Sequence, residues 1–383
     1  MKPAFLPASP PAPTAQVASP PRSCTHGAGG QSNMGFGMCG ATSPTQTPQQ
    51  ALDSLPPLRF FFQEGSGPNG GAGRAMCHTT SGAPSLTPAR QWLTTNATNA
   101  GGASAVCLLT AAALFRQLGG KVPVGAVESC VSGTNVEPWT PPNGSLWKAN
   151  MVPLLPMSFK AALWDQGEAD AKRTSSDWYR QEFPNLITGW RTNLQTAELP
   201  FVYVELCSEY GAEEPKEADF WMAQRAAIAL PAVGFAVTTD LQRALHPPDK
   251  QAVAERLLLS LRRVGYGEEV VSQGPELVSV ANGTDNVKLT FSNASLTVHH
   301  GGAELPSHGC PDGNNTAMLQ KGAAGAVPLL FSISGPALTV ACDPALGSIW
   351  INSDAQQDCF LYSGTSLLPA PPIEVPCGRA LVR

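Results

Sequence analysis

The chain has 383 residues, enough for one large domain and a smaller second one. The 24 Lys and Arg are outnumbered by 29 Asp and Glu, which gives a net charge of −5, and only 14% of residues are charged. This balance lacks the basic footprint of a nucleic-acid-binding protein. The 37 glycines and 36 prolines break up the apolar runs, so we expect neither a helical bundle nor a membrane-spanning helix.

The first 28 residues are rich in Ala, Pro and Ser and contain few large apolar side chains. Such a segment buries too little apolar surface to offset the entropy lost on ordering. We therefore predict a disordered lead over residues 1–28. A secretory signal peptide would need a basic start and about 7–15 consecutive apolar residues, and no such run is visible in this lead.

From residue 29 to residue 268, short apolar runs alternate with helical periodicity, a pattern typical of an α/β domain with a parallel sheet. The segment Ser104–Leu118 predicts a helix that ends before two glycines. Further helices are indicated at 178–190, 221–229 and 250–264, the last with apolar residues on one face. Four apolar runs have the length of buried strands: Val124–Val127, Ala161–Trp164, Phe201–Leu206 and Val233–Thr238.

Residues 269–383 have a different character, with short strand-like runs separated by Gly, Asn, Pro and Asp turns and no helical period. Val287–Phe291 and Leu329–Ile333 are examples of such runs. This pattern favours a smaller β-sandwich-like domain at the C-terminus. Four of the ten cysteines are concentrated there: Cys310, Cys342, Cys359 and Cys377.

Cysteines and glycosylation sequons together indicate the compartment. Ten cysteines without zinc-finger spacing favour disulfides over metal ligands, so we expect no metal and no cofactor. Asn-x-Ser/Thr acceptors occur in polar or Gly-rich stretches. Both features favour a secreted or lysosome- or vacuole-like location. The acceptors are Asn96, Asn143, Asn282, Asn293 and Asn314.

A serine and a histidine are placed for nucleophilic catalysis. Ser32 lies among small and amide residues, where its hydroxyl can be exposed and its N–H can point at a substrate. His246 follows a predicted strand, precedes the last helix, and is held by two prolines. Since ligands of open α/β sheets bind at the carboxyl ends of strands, the two side chains are predicted to meet there.

Six sequence blocks in order resemble the sialate O-acetylesterases of the SGNH hydrolase superfamily. They are GGQSNMGF, VGAVESCVSGTNVEPW, LLPMSFKAALWDQGEAD, LPFVYVEL, a W-x3-R pair, and D-x5-HPPDKQAVAERL, followed by a β-rich tail. The resemblance covers roughly residues 29–267. It implies an SGNH-type, flavodoxin-like parallel sheet flanked by helices, and a C-terminal β domain.

The resemblance also implies residue roles. Ser32 is expected to be the nucleophile and His246 the general base. The oxyanion hole is expected to consist of the N–H groups of Ser32 and Gly133 and the side-chain amide of Gln166. Members usually carry an Asp three residues before the base, but Arg243 occupies that position here. Asp240 is the expected third member of the triad, and Asp249 and Glu168 are the alternatives.

A second departure concerns the strand that leads into the nucleophile. In the family an apolar strand runs directly into GQSNM, whereas residues 20–28 here are Pro-, Ser- and Gly-containing and form a poor central strand. We therefore expect the true strand, with a signal peptide, to lie upstream of the given sequence, and the chain as written to be unstable or weakly active.

Taken together, these residues predict a metal-independent carbohydrate O-acetylesterase that uses a Ser–His acyl-enzyme mechanism. The expected partner is an acetylated sugar or glycan, with no nucleic acid and no membrane span; the sequence does not indicate the oligomeric state. Two alternatives stay open at this point: an esterase for acetylated plant-type polysaccharide, and a glycan-binding protein without turnover.

Overall fold

A computed structural model of the chain describes residues 24–63, 90–207, 216–241, 244–283, 285–292, 295–300, 318–322, 325–329, 331–343, 347–353 and 359–377. Residues 1–23 of the predicted disordered lead lie outside these ranges. The strands of the N-terminal domain are β1 Cys24–Gly30, β2 Arg59–Phe62, β3 Trp92–Thr94, β4 Val124–Cys130, β5 Ala161–Asp165, β6 Phe201–Val204 and β7 Val233–Ala236. Its helices are α1 Pro48–Asp53, α2 Ala105–Gln117, α3 Glu168–Arg173, α4 Ser176–Asn193, α5 Lys216–Gln224 and α6 Lys250–Tyr266.

The seven strands form one sheet in the order β3-β2-β4-β1-β5-β6-β7. All neighbouring strands run parallel except β3, which pairs antiparallel with β2 at the edge. After β1 the chain forms β2 and β3, returns to place β4 between β1 and β2, and then crosses to place β5 on the other side of β1. The carboxyl end of β1 is thus a topological switch point, the place where open α/β sheets bind ligands.

Helices cover both faces of the sheet and enclose two apolar cores. On one face α2 and α6 pack against the sheet with mostly aliphatic side chains. On the other face α4 and α5 enclose a core dominated by aromatic rings, in which Trp164 makes edge-to-face contacts with Trp139 and Trp190. The predicted α/β class, with a parallel sheet flanked by helices, is therefore confirmed.

Helix ends follow local sequence signals. Ser104, the residue before α2, accepts a hydrogen bond from the Cys107 N–H through its side chain, as an N-cap should. Asp249 caps α6 in the same way through the Ala252 N–H, and Gly267 ends that helix in the left-handed conformation.

The central strand β1 is formed by Cys24–Gly30, so the expectation that the strand leading into Ser32 is missing from the given sequence is wrong. The predicted disordered lead also includes residues 24–28, and that prediction is wrong for them. The strand pairs parallel with β4 along all seven residues and with β5 along five. Small residues are required because a Cβ atom on Gly29 would lie 2.9 Å from the Trp190 ring and 3.2 Å from Trp164. The neighbouring aromatic side chains thus provide the burial that β1 itself lacks.

The C-terminal part is built from short antiparallel strands, as predicted. They are β8 Leu277–Asn282, β9 Asn286–Phe291, β10 Leu296–His300, β11 Met318–Gly322, β12 Gly325–Pro328, β13 Phe331–Ser334, β14 Ala337–Ala341, β15 Ser348–Ile351, β16 Cys359–Ser363 and β17 Ile373–Pro376. These strands form two four-stranded sheets and a two-stranded one around a third apolar core. A disulfide joins Cys342 to Cys377.

Contacts among the described residues join the two parts of the molecule. Trp350 of β15 packs into the aromatic core of the N-terminal domain. Arg225 donates to the Pro372 carbonyl at 2.6 Å, and the Tyr362 hydroxyl donates to Asp240 at 2.9 Å. The last contact places the C-terminal domain against the segment that leads to His246. Within the described ranges, no helix is both long and apolar enough to cross a membrane.

Candidate active site

Ser32 lies in a tight turn directly after β1. The turn begins at Gly30, whose φ of 141° and close approach to the Asp165 carbonyl leave no room for a Cβ atom, which would lie 2.1 Å from that oxygen. Gln31 N–H donates to the same carbonyl at 3.0 Å, and Val131 N–H donates to the Gly30 carbonyl at 3.0 Å. Backbone hydrogen bonds to both neighbouring strands thus hold the turn, and Ser32 is 7% exposed.

His246 meets Ser32, as the sequence predicted. The His246 Nε2 and Ser32 Oγ atoms are 2.8 Å apart, although the two residues are 214 positions apart in the chain. This is the distance at which an imidazole can accept a hydroxyl proton. His246 is half-buried, and its neighbour Leu245 is 37% exposed.

The segment that carries His246 has no regular secondary structure but is anchored at three backbone carbonyls. Cys207 Sγ contacts the Ala244 carbonyl at 3.2 Å, and Thr42 N–H donates to the Pro248 carbonyl at 2.8 Å. The Asn33 side-chain amide donates to the Leu245 carbonyl at 2.9 Å. The anchors come from three different parts of the N-terminal domain, and one of them, Asn33, directly follows Ser32.

Asn33 lies in a buried polar cluster beneath the turn. Its amide also donates to Glu168 Oε1, and its oxygen accepts from Lys250 Nζ at 2.7 Å. Asp165 is the fourth charged or polar member, and burial followed by the charge of Glu168 raises its pKa to about 7. Burial also raises the pKa of Glu168, and it lowers that of Lys250 against the opposing charges of the two carboxyls.

The other two predicted oxyanion-hole residues lie on the loops after β4 and β5. Gly133 adopts a φ of 69°, and its carbonyl accepts from Arg173 at 3.0 Å. The Gln166 amide nitrogen lies 2.5 Å from Asp170 Oδ2, 3.0 Å from the Thr134 carbonyl and 3.3 Å from Gln31 Oε1. Its two hydrogens are therefore shared among acceptors within the protein. In this structure Gln166 joins the loop after β4 to the turn that carries Ser32.

The three carboxylates considered as the orienting acid make their hydrogen bonds elsewhere. Asp240 accepts from Arg256 at 2.5 and 2.7 Å and from Tyr362 at 2.9 Å. Asp249 uses one oxygen to cap α6, and its buried Oδ2 has no hydrogen-bond partner. Glu168 accepts from Asn33 through Oε1, and its Oε2 is likewise without a partner. The role of Asp240 as orienting acid stays a prediction.

Sequence reasoning missed Asn33 and Lys250 as parts of the site, although both lie inside blocks that carried the family resemblance. One signal was available: Lys250 directly follows the N-cap of a predicted helix, where a positive charge is unfavourable. In the described part of the chain, no group of three His, Cys, Asp or Glu side chains is arranged to hold a metal ion.

Comparison with known proteins shows what this chain is similar to. Residues 77–253 match the family model described as carbohydrate esterase, sialic acid-specific acetylesterase. This region includes Gly133, Gln166, Asp240 and His246, whereas Ser32 precedes it. A sialate O-acetylesterase from Homo sapiens is 27% identical over 326 residues, which cover 70% of this chain and 60% of the relative. One from Rattus norvegicus is 30% identical, covering 59% of this chain and 46% of the relative.

A solved structure extends the likeness to the C-terminal part. The crystal structure of a carbohydrate acetylesterase from Xanthomonas citri superposes with a TM-score of 0.74 at 26% identity, covering 92% of this chain and 80% of that one. The present chain spans about 60% of the length of the human relative and less than half of the rat one. The resemblance found in the sequence blocks is confirmed: residues 77–253 match the model of the sialic acid-specific acetylesterases, and sialate O-acetylesterases and a carbohydrate acetylesterase are among the similar proteins.

Proposed function

We propose that the chain is a carbohydrate O-acetylesterase that removes acetyl groups from sugar hydroxyls through an acyl-enzyme on Ser32. The observation that carries the proposal is the 2.8 Å contact between Ser32 Oγ and His246 Nε2 at the carboxyl edge of the sheet. The family match and the acetylesterase from Xanthomonas citri support the same chemistry. An acetylated sialic acid is the proposed substrate, since the names of the relatives point to it.

The proposed reaction has two stages. His246 accepts the Ser32 proton as Oγ attacks the acetyl carbonyl carbon, and the resulting oxyanion is stabilised by backbone N–H donors. The tetrahedral intermediate expels the sugar oxygen, which takes the proton from His246. Water then attacks the acetyl-Ser32 ester with His246 again as base, and acetate leaves as Ser32 regains its proton.

The oxyanion donors of this proposal are the N–H groups of Ser32 and Gly133, with Gln166 as the third. The three residues follow β1, β4 and β5, which are adjacent in the sheet. Because Gln166 already shares its amide hydrogens, its contribution requires that a substrate oxygen replace one of its present acceptors. The backbone donors require no such exchange.

A secretory or lysosome-like location is also proposed. The Cys342–Cys377 disulfide supports an oxidising compartment. Three of the predicted acceptor asparagines, Asn96, Asn143 and Asn282, are exposed, as glycan attachment requires. Asn293 and Asn314 lie outside the described residues.

Turnover of an aryl acetate by the wild type and by Ser32→Ala, His246→Ala and the double variant tests the proposal. Each single change should lower kcat by several orders of magnitude, and the double variant should be little worse, because members of a catalytic unit act together. EDTA should not change the wild-type rate. A panel of acetylated sialic acids and acetylated polysaccharides then assigns the sugar.

Two outcomes would contradict the proposal. Losses that add up in free energy would show that Ser32 and His246 act independently. Binding of acetylated glycans without any turnover would instead make the chain a glycan-binding protein.

A further inference from the structure

The cluster beneath the nucleophile contains a buried cation that the reaction described above does not use. Lys250 is 2% exposed and occupies the first position of α6, directly after its N-cap. The helix dipole disfavours a positive charge at that end, and burial of an ammonium group is costly by itself. Because a lysine at this position is unfavourable both for the helix and for burial, its presence needs another explanation.

Lys250 is directed toward the active site. Its ammonium group donates to Asn33 Oδ1 at 2.7 Å and lies 5.0 Å from the centre of the Phe36 ring. Both contacts are with the turn that carries Ser32. The pKa of Lys250, which burial lowers, is raised by the charges of Asp165 and Glu168, at the end of β5 and the start of α3.

Asn33 connects this cluster to the catalytic base. With its oxygen held by Lys250, the side-chain amide has a fixed orientation, and its hydrogens point to Glu168 and to the Leu245 carbonyl. Leu245 immediately precedes His246, so this bond links the residue after the nucleophile to the residue before the base. Ser32 and His246 are otherwise carried by separate elements, a turn after β1 and a segment before α6.

We propose that Lys250 and Asn33 are positioning residues that hold the His246 segment at hydrogen-bonding distance from Ser32. Neither residue touches the reacting atoms: Lys250 fixes the orientation of the Asn33 amide, and Asn33 fixes the Leu245 carbonyl. Because a misplacement of about 1 Å costs about 10²-fold in rate, this link is worth about two orders of magnitude in kcat. The inference rests on the proposed Ser–His chemistry.

The test is a double-mutant cycle in the wild-type and the His246→Ala backgrounds. Its readouts are the labelling of Ser32 by a fluorophosphonate probe and the turnover of an aryl acetate. Lys250→Met, similar in length and without charge, should slow labelling and kcat about 10²-fold with KM little changed. In the His246→Ala background the same substitution should change the residual labelling rate by less than about threefold, because it acts only through His246. A purely structural role would lower the rate equally in both backgrounds.

Arg191→Met is the matched control. Arg191 is also buried, but it donates to the Leu199 and Pro231 carbonyls, which lie just before β6 and β7 at the amino ends of the strands. The Arg191→Met substitution should lower thermal stability and leave the labelling rate of the folded protein within about threefold of wild type. If Lys250→Met does not fold, Asn33→Ala is measured in the same cycle with the same expectation.

The outcomes separate this inference from the proposed function. Wild-type protein that neither labels nor turns over would overturn both. If the wild type is active, two results would overturn the positioning role alone. One is an unchanged rate in Lys250→Met, and the other is an equal loss of rate on Lys250→Met substitution in the wild-type and His246→Ala backgrounds.

Discussion

Ser32 and His246, the proposed nucleophile and base, are held in place in different ways. Ser32 follows the central strand of a seven-stranded sheet, and backbone hydrogen bonds to β4 and β5 fix its turn. His246 lies in an irregular segment whose carbonyls are held by Asn33, Cys207 and Thr42. The position of Ser32 is therefore set by the fold itself, whereas the position of His246 depends on individual side chains that substitution can remove.

The largest expected effect is on the nucleophile side, at Gly30. A Cβ atom there would lie 2.1 Å from the Asp165 carbonyl, and a φ of 141° is accessible almost only to glycine. We expect Gly30→Ala to destabilise the protein by more than about 4 kcal/mol, beyond the range of ordinary substitutions. Thermal and chemical unfolding measure the change.

Gly119→Ala is the control for backbone conformation alone. Gly119 has a φ of 72°, and a Cβ atom added there would meet nothing within 4 Å, so the substitution should cost about 1–2 kcal/mol. Equal destabilisation by the two substitutions would show that the close approach between β1 and β5 does not fix the nucleophile turn.

The next largest effect concerns the segment that carries His246. Asp240→Asn removes the charge that binds Arg256 and weakens the bond from Tyr362, both of which hold the start of the His246 segment. If Asp240 acts on His246 only through these contacts, kcat should fall about 10²-fold through displacement of His246. Tyr362→Phe, which leaves the carboxylate and Arg256 in place, should cost less.

A loss near 10⁴-fold in Asp240→Asn would contradict this expectation, because that is the size of effect for an acid that contacts the base directly. The sequence-based prediction of Asp240 as the third triad member would then be supported. Glu168→Gln and Asp249→Asn, measured alongside, show whether one of the alternatives has that role instead.

The smallest effect is a pH dependence of stability at Glu128 in β4. This carboxyl accepts from the Ser104 N–H at 2.7 Å, and burial raises its pKa to about 7. An acid whose pKa is higher in the folded state contributes stability that is complete below pH 4.5 and lost as the pH rises through 7. As the pH rises from about 5 to about 8, the ionisation of Glu128 should lower the free energy of unfolding by roughly 2 kcal/mol.

Glu128→Gln should flatten that part of the profile, measured by chemical denaturation at the two pH values. Glu137→Gln, at an exposed glutamate, is the control and should leave the profile unchanged. A wild-type slope that persists in full in Glu128→Gln would show that Glu128 does not carry it.

The sequence predicted those features that depend on local signals or on strand order. The helix that follows Ser104, the apolar strands and the meeting of Ser32 with His246 follow from such signals. It failed at β1, because a Gly- and Ala-rich strand has little β-propensity of its own and is stabilised by Trp164 and Trp190 from other elements. The link from Asn33 to Lys250 spans 217 residues and depends on side-chain geometry that no spacing rule contains.

Detection of the acetyl-enzyme tests the central claim most directly. Protein mixed with an aryl acetate and quenched in acid is digested and examined by mass spectrometry. We expect one acetyl group on Ser32, absent in Ser32→Ala and formed slowly in His246→Ala. Hydrolysis that continues in Ser32→Ala, or acetylation confined to another residue while turnover proceeds, would contradict an acyl-enzyme mechanism on Ser32.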